Sequence, residues 1–518
     1  MQMNRQMKCS WVAKQFIEVF KTRPHWPAKE IIECIRRAYK VVVKREFAYR
    51  VKYAAHILLH GSMHEHYQKV SGYLAELRKC SPGSVSELVT VMPKQPPPVF
   101  QRLFMCFEGL MKGWREGCRK VISVDACFFK TFLGGQLLCA VGRDANDQMY
   151  PIAWAVTEGE NNLSWEWFFI HLVACLDLGE GEGLSVISDE HQAILNVVAS
   201  ILPKAEHRHC ARHIFALWHK TYRGDELKLQ FWKIAKSYNE ADYKYALTEL
   251  EVMNPEAALA FQKYNPHLFC RAFLSTDVNT DAITRNIAET FNGFIINART
   301  KHLLFMLEEI RSQLMQRMVK KRQDMEKTTT YLCPRIQSKL DKEKNKAAYC
   351  EVLPSSDTLS NVSYNLDQVV VNLEAKTCTC RKWDMLGIPC CHAVACVFFA
   401  NKEAEQFVHP CYRREVYLTS YAVKGHNKRR CPNRDTAIQS EPPAKRARGR
   451  PKKNGEQPHS TLSAPCEPQL NTTAAAQHHI VTAQPTQLGR GGRAIRGGRG
   501  SRGQGTRPSS SAPALTGG

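Results

Sequence analysis

Apolar residues between positions 10 and 92 recur at the spacing of a helix face. After Pro27, Ile31, Ile32, Ile35 and Ala38 share one side, with Lys29, Arg36 and Arg37 on the others. Arg45, Tyr49, Arg50, Lys52 and Tyr53 mark a second helix, basic and aromatic, that stops near Gly61. Ser81-Pro82-Gly83-Ser84 is a break, and Pro93 to Pro98 read as a short linker. The period then changes. VISVDACFF (121–129), QLLCAVGRD (136–144) and YPIAWAV (150–156) are short β-rich runs divided by Gly134-Gly135 and Asp144-Ala145-Asn146-Asp147. SWEWFFIHLVACLDL (164–178) reads as a helix capped by Ser164, and LSVISD (184–189) as a strand. HQAILNVVASIL reads as a helix, and EHRHCARHIFALW as a strand running into a further helix. A meander followed by βα units predicts an α/β fold with a mixed sheet covered by helices. From 220 to about 345 the pattern is helical and increasingly charged, and DQVVVNLE (367–374) reads as a strand entering a Cys-rich module. Beyond about 432 the chain is Pro, Gly, Ser, Gln and Arg with almost no aromatics, which predicts disorder.

Charge sharpens this picture. A net charge of +23 favours a polyanionic partner, and nucleic acid is the commonest. Residues 424–518 hold 17 Lys and Arg against 4 Asp and Glu, so the tail is an electrostatic arm on a mildly basic body. The 20 cysteines do not read as a secreted scaffold. The segment MQMNRQMKCSWVAKQF has no apolar secretory core, and Cys127, Cys139, Cys175 and Cys396 lie in apolar runs as small hydrophobes. A soluble chain in a reducing, intracellular compartment is expected, with clustered cysteines used for metal. No apolar run approaches the roughly 18–20 residues that span a membrane.

Two acids end strand-like runs: Asp125 after Val121-Ile122-Ser123-Val124, and Asp189 after Val186-Ile187-Ser188. Acids on adjacent strands of a mixed sheet can share a divalent ion. Asp144 and Asp147 are explained by turn chemistry. Glu158 and Glu160 follow a strand and are open as a third acid, whereas Glu308 and Glu309 read as a solvated face. Cys378-x-Cys380-x9-Cys390-x-His392 offers three thiolates and one imidazole, a tetrahedral zinc set, with Gly387 and Pro389 supplying the return. Cys391 and Cys396 are spare.

The blocks VISVDACFFK, GRDANDQMYPIAWAVTEGENNLSWEWFF, VISDEHQAILNVV, EHRHCARHIFALW and RNIAETFNGFIINARTKHLLFMLEEIR closely resemble successive blocks of Mutator-like (MULE) transposases, plant members among them. The Cys378–His392 module resembles the SWIM zinc finger. Together the resemblance spans roughly residues 10–431. It implies a ribonuclease-H-like fold with a DDE triad of Asp125, Asp189 and Glu289, at intervals of 64 and 100 residues. Such a triad holds two Mg²⁺ or Mn²⁺ ions for phosphoryl transfer on DNA. The longer interval implies an all-helical insertion over about 220–280.

The layout expected from the family is a helical DNA-binding region of MuDR type over 1–95, a transposase domain over 117–345, the zinc finger over 362–405 and the basic tail over 424–518. The N-terminal region lacks the family's zinc-ligand part, of which Cys9 is the remnant, so the chain reads as truncated. Cys210-x-x-His213, flanked by His207 and His209, matches another family block. These two are candidate accessory metal or DNA contacts, or else a buried Cys beside a hydrogen-bonded His. Arg448, Gly449, Arg450, Pro451 and Lys452 resemble an AT-hook for the minor groove, and read equally as a nuclear-import signal with Lys428-Arg429-Arg430. Gly489 to Gly503 repeats Arg-Gly-Gly and suits sequence-tolerant nucleic-acid contact. Plant relatives often carry a Cys-x2-Cys-x4-His-x4-Cys knuckle. Here His426 and Cys431 remain, but Leu418 and Tyr421 occupy the cysteine positions, so zinc is not expected there.

The function implied is a nuclear DNA transposase that uses zinc and Mg²⁺ or Mn²⁺ and acts as a homo-oligomer on DNA, with no small-molecule substrate and no membrane. The alternative is a domesticated, DNA-binding transcription regulator without catalysis, similar to the plant far-red-response factors. A SWIM-centred adaptor for protein partners is a third reading, which the basic tail opposes.

Overall fold

The computed structural model describes residues 7–422 apart from 24–25, 62, 92–97, 131–133 and 366. The AT-hook-like segment, the other basic clusters of the tail, His426 and Cys431 lie outside the described residues.

The main sheet has seven strands: β1 (Val85–Val91), β2 (Val99–Cys106), β3 (Val121–Phe128), β4 (Gln136–Arg143), β5 (Met149–Thr157), β6 (Ser185–Ser188) and β7 (Glu206–His209). Their order is β1-β2-β5-β4-β3-β6-β7. β1 to β5 pair antiparallel along that order, whereas β3–β6 and β6–β7 are parallel. The sheet is therefore mixed, with β3 at the change of direction. Apolar residues fill both faces of β4 and β5, which fits strands covered by helices on each side. Trp114, Phe168, Phe169 and Phe291, from three helices, join strand side chains in one core.

Two local details differ from the sequence pattern. Residues 85–91, within the stretch that reads as helix, pair as a strand with 99–106, for which the sequence pattern predicts no element, in the register Val85↔Cys106. β2 buries Leu103 to Cys106 and pairs with β5, so it extends the sheet, and β1 covers its free edge. The second detail is a cap. The helix Asn162–Leu176 starts before Ser164, and the Asn161 side chain accepts from the Ser164 amide at 2.9 Å.

N-terminal to the sheet, helices Cys9–Gln15, Ile17–Thr22, Ala28–Tyr39 and Arg45–His60 enclose a core that includes Val12, Phe16, Trp26, Ile35 and Val51. After β7, helices Ala211–Thr221, Asp225–Ala235, Glu240–Met253 and Pro255–Lys263 close around Trp218, Phe231, Phe261 and Phe269. The chain then returns to the sheet with the helix Asn286–Phe294. Further on, β8 (Glu351–Pro354), β9 (Leu359–Tyr364), β10 (Asp367–Asn372) and β11 (Thr377–Cys378) form a small antiparallel sheet against the helix Cys391–Phe399. Among the described residues no helix is long and apolar enough to cross a membrane.

Candidate active site and zinc centre

β3 and β6 run side by side with Ser123 paired to Ile187. Two residues beyond this pair stand Asp125, still within β3, and Asp189, the first residue past the end of β6. Their side chains converge on one nitrogen of Arg285. Nη1 forms a close ion pair with Asp125 and lies 3.2 Å from Asp189 Oδ2. Asn292 Nδ2 donates to the other Asp125 oxygen at 2.8 Å. Arg285, Glu289 and Asn292 are spaced by four and three residues, so they share one side of the returning helix. Glu289 is placed differently from the two aspartates. It forms an ion pair with Arg212 on the helix Ala211–Thr221, and no hydrogen bond joins it to either acid.

The electrostatics tie the group together. Burial pushes the Asp125 carboxyl up to about 7; Arg285 opposes this, while Asp189 and Glu289 add to it. Glu160 is also raised, by burial first, with Asp189 pushing in the same direction and His191 against it. It is a fourth acid facing the site, and its Oε1 accepts from Trp165 Nε1 at 3.2 Å. Burial and then Arg285 lower His213 below its ordinary value. His213 Nε2 lies 2.8 Å from Arg285 Nη2, and a guanidinium can only donate, so this network assigns a neutral ring with its proton on Nδ1. Cys210 Sγ accepts from the Arg285 backbone amide at 3.5 Å. Cys210 and His213 thus both hold Arg285, one by its backbone and one by its guanidinium.

The second cluster is compact. Among the described residues only Cys378, Cys380, Cys390 and His392 bring three or more metal-ligating atoms within 4.8 Å of one another. His392 Nδ1 lies 3.7 Å from Cys378 Sγ and 3.8 Å from Cys390 Sγ. A tetrahedron with zinc–sulfur and zinc–nitrogen bonds of ordinary length has edges of about 3.6 Å, so the set fits zinc. Hydrogen bonds from Cys378 and Cys390 hold the Cys380 thiol far below the usual thiol range, which favours the ligating thiolate. Cys391 is buried outside the set, and its amide donates to Glu343 at 3.2 Å.

Residues 121–217 match the MULE transposase domain, and residues 362–398 match the SWIM zinc finger. The chain carries a MULE transposase domain joined to a SWIM zinc finger. No curated protein matches it. The transposase match includes Asp125, Asp189, Cys210 and His213 and ends before Glu289.

Sequence reasoning missed three residues of this carboxylate cluster, Arg285, Asn292 and Arg212, and left Glu160 open only as a third acid. The signal for two of them was present. Arg285 and Asn292 flank Glu289 at helical spacing, so a helix that presents Glu289 to the sheet presents them as well.

Proposed function

We propose that this protein is a DNA transposase that cuts and joins DNA strands at a carboxylate site formed by Asp125, Asp189 and Glu289. One observation carries the reading: Asp125 in β3 and Asp189, the residue that follows the adjacent parallel strand β6, both turn a carboxylate to the same Arg285 nitrogen. The strand order β5-β4-β3-β6-β7, with a direction change at β3, supports a ribonuclease-H-like core.

The donors are carboxylate oxygens, which suit Mg²⁺ or Mn²⁺. Asp125 and Asp189 would hold such ions, joined by Glu289 once it releases Arg212. When bound, these ions activate a water or 3′-hydroxyl and stabilise the leaving oxygen. The chain's own residues prepare the site. Asn292 fixes one oxygen of Asp125, so that carboxylate has a set orientation. Arg285 neutralises two acids that would otherwise repel, and Cys210 and His213 set its position. DNA is the partner that the transposase domain implies. The remaining elements of the reading are a nuclear location, assembly of several copies on DNA, and a basic tail that adds sequence-tolerant affinity.

Incubation of the full chain with supercoiled DNA in Mg²⁺ tests this. Asp189→Asn should abolish nicking and leave DNA binding intact, because it removes charge and almost no volume. A variant that still cuts overturns the catalytic assignment. A wild type that binds DNA without cutting overturns it too, in favour of a domesticated regulator.

A further inference from the structure

The zinc finger is packed into the transposase fold rather than standing beside it. Its short helix, Lys382–Leu386, sends neighbouring side chains into three cores. Trp383 fills the finger's own core, Met385 the core of the helices after β7, and Leu386 the core of the main sheet. Each is buried, so the finger cannot leave without exposing all three.

The polar contacts are more specific. Arg381 follows zinc ligand Cys380 and adopts the left-handed conformation (φ 65°), which turns its side chain out of the ligand loop. Its guanidinium donates to four backbone carbonyls: Tyr238 and Arg271 at 3.2 Å each, Leu274 at 2.6 Å, and Ala272 in close contact. The same stretch is held from the sheet side by Arg208 on β7. That guanidinium, fully buried, donates to Ser275 at 3.1 Å, Thr280 at 3.0 Å and Ala282 at 3.3 Å. Segment 271–282 has little regular structure of its own, and the carbonyls of residues 271, 272, 274, 275, 280 and 282 are held by these two arginines. Gly387 closes the contact. At φ 65° its backbone lies so near the segment that a Cβ there would be 2.6 Å from Asn279 Oδ1 and 2.7 Å from His409 Cβ.

We infer that the zinc finger acts within the chain, as a clasp that fixes segment 271–282, with Arg381 as the positioning residue. The segment runs directly into Arg285 and Glu289. Zinc is required because it holds Cys378 and Cys380 in the loop from which Arg381 projects; a loop without metal leaves the guanidinium untethered. The finger thereby sets where the returning helix meets the aspartates. That last step rests on the carboxylate reading above, whereas the clasp itself does not.

Hydrogen exchange on the full, zinc-loaded chain tests the clasp, read at the amides of residues 271–285. Arg381→Ala should speed exchange there at least tenfold, while zinc stays at one per chain. Arg381→Lys should recover only part of the protection, since one ammonium cannot serve four carbonyls of fixed direction. If Arg381→Ala does not fold, the lysine variant carries the comparison. Gly387→Ala should loosen the same amides with every zinc ligand intact, and stripping zinc should release them together. Unchanged protection after zinc removal, or in both Arg381 variants, overturns the inference. Mn²⁺ binding by the same proteins separates the two readings. A wild-type chain that binds no Mn²⁺ but loosens as described upholds the clasp and sinks the carboxylate assignment.

Discussion

The guanidinium of Arg285 is hydrogen-bonded to the carboxylate of Asp125, 160 residues away in sequence. The contact is buried on both sides, with 11% and 7% of the side chains exposed, while Asp189 beyond it is 24% exposed. A cation of the protein therefore stands at the point where the two acids meet. A divalent ion has to displace it. Arg285→Ala should accordingly tighten Mn²⁺ binding roughly tenfold, the factor that about 1.4 kcal/mol of lost competition represents. Titration of free Mn²⁺ by electron paramagnetic resonance measures it. Weaker binding in the variant would mean that Arg285 supports the acids and does not compete for them.

His207 gives the fold a pH dependence of known sign. Burial, and then His209, lower its value to about 4, and its Nε2 lies 2.7 Å from Ser188 Oγ. The unfolded chain protonates this ring near pH 6.5, the folded chain only near 4. Its contribution to stability is complete above about pH 6.5 and is lost as pH falls toward 4, up to about 3 kcal/mol. His207→Gln keeps a polar group against Ser188 and cannot take up the proton. Its urea midpoint should fall less than that of the wild type between pH 7 and 4.5. Parallel curves for the two proteins would refute this.

The start of the helix Asn162–Leu176 separates two side chains that look equivalent in sequence. Asn161 accepts from an otherwise unpaired amide, so Asn161→Ala should cost about 1 kcal/mol. The Ser164 hydroxyl is buried without a hydrogen-bond partner, so Ser164→Ala should cost nothing and is expected to be neutral or mildly stabilising. Thermal unfolding of both variants decides which residue is the cap. A larger loss for Ser164→Ala would reverse the assignment.

What could be read from sequence follows the range over which the determinants act. β3 and β6 were legible because each is a local apolar run with an acid at or just before its expected end, although β3 continues past Asp125 to Phe128 and β6 stops one residue before Asp189. The zinc set was legible because its four ligands lie within 15 residues, and spacing alone specifies them. Arg285, Asn292 and Arg212 were not, because their partners lie 160, 167 and 77 residues away. Helical spacing puts Arg285 and Asn292 on the Glu289 side of their helix, but whether that side meets solvent or a buried acid depends on which strand the helix crosses, and no local pattern encodes that. β1 escaped for another reason. Its apolar positions fit a helix face as well as a strand, and only pairing with β2 decides between them.

Tyr421 stands where the family resemblance would put a knuckle cysteine, and here it has a packing role. Its hydroxyl donates to Asp144 Oδ2 at 2.8 Å. Asp144 is fully buried, and its other oxygen accepts the Asn146 and Gln148 amides at 2.9 and 2.8 Å. Burial raises this carboxyl to about 6, against the hydrogen bonds from Gln148 and Tyr421. Above that pH the tyrosine hydroxyl serves a charge, and below it a neutral acid. Tyr421→Phe should therefore cost about 1.5–3 kcal/mol at pH 7.5 and less at pH 5. Tyr421→Cys, which restores the knuckle's residue, also removes a ring packed 4.6 Å from Tyr417 and 5.5 Å from Tyr150. It should lose about 3–5 kcal/mol, as large-to-small changes in a core do, and bind no second zinc. Urea unfolding at both pH values, with a zinc count on each variant, tests the pair. A Tyr421→Phe protein as stable as the wild type at pH 7.5 would show that the hydroxyl is not needed. A second zinc in Tyr421→Cys would show that the knuckle can still assemble around its remaining ligands.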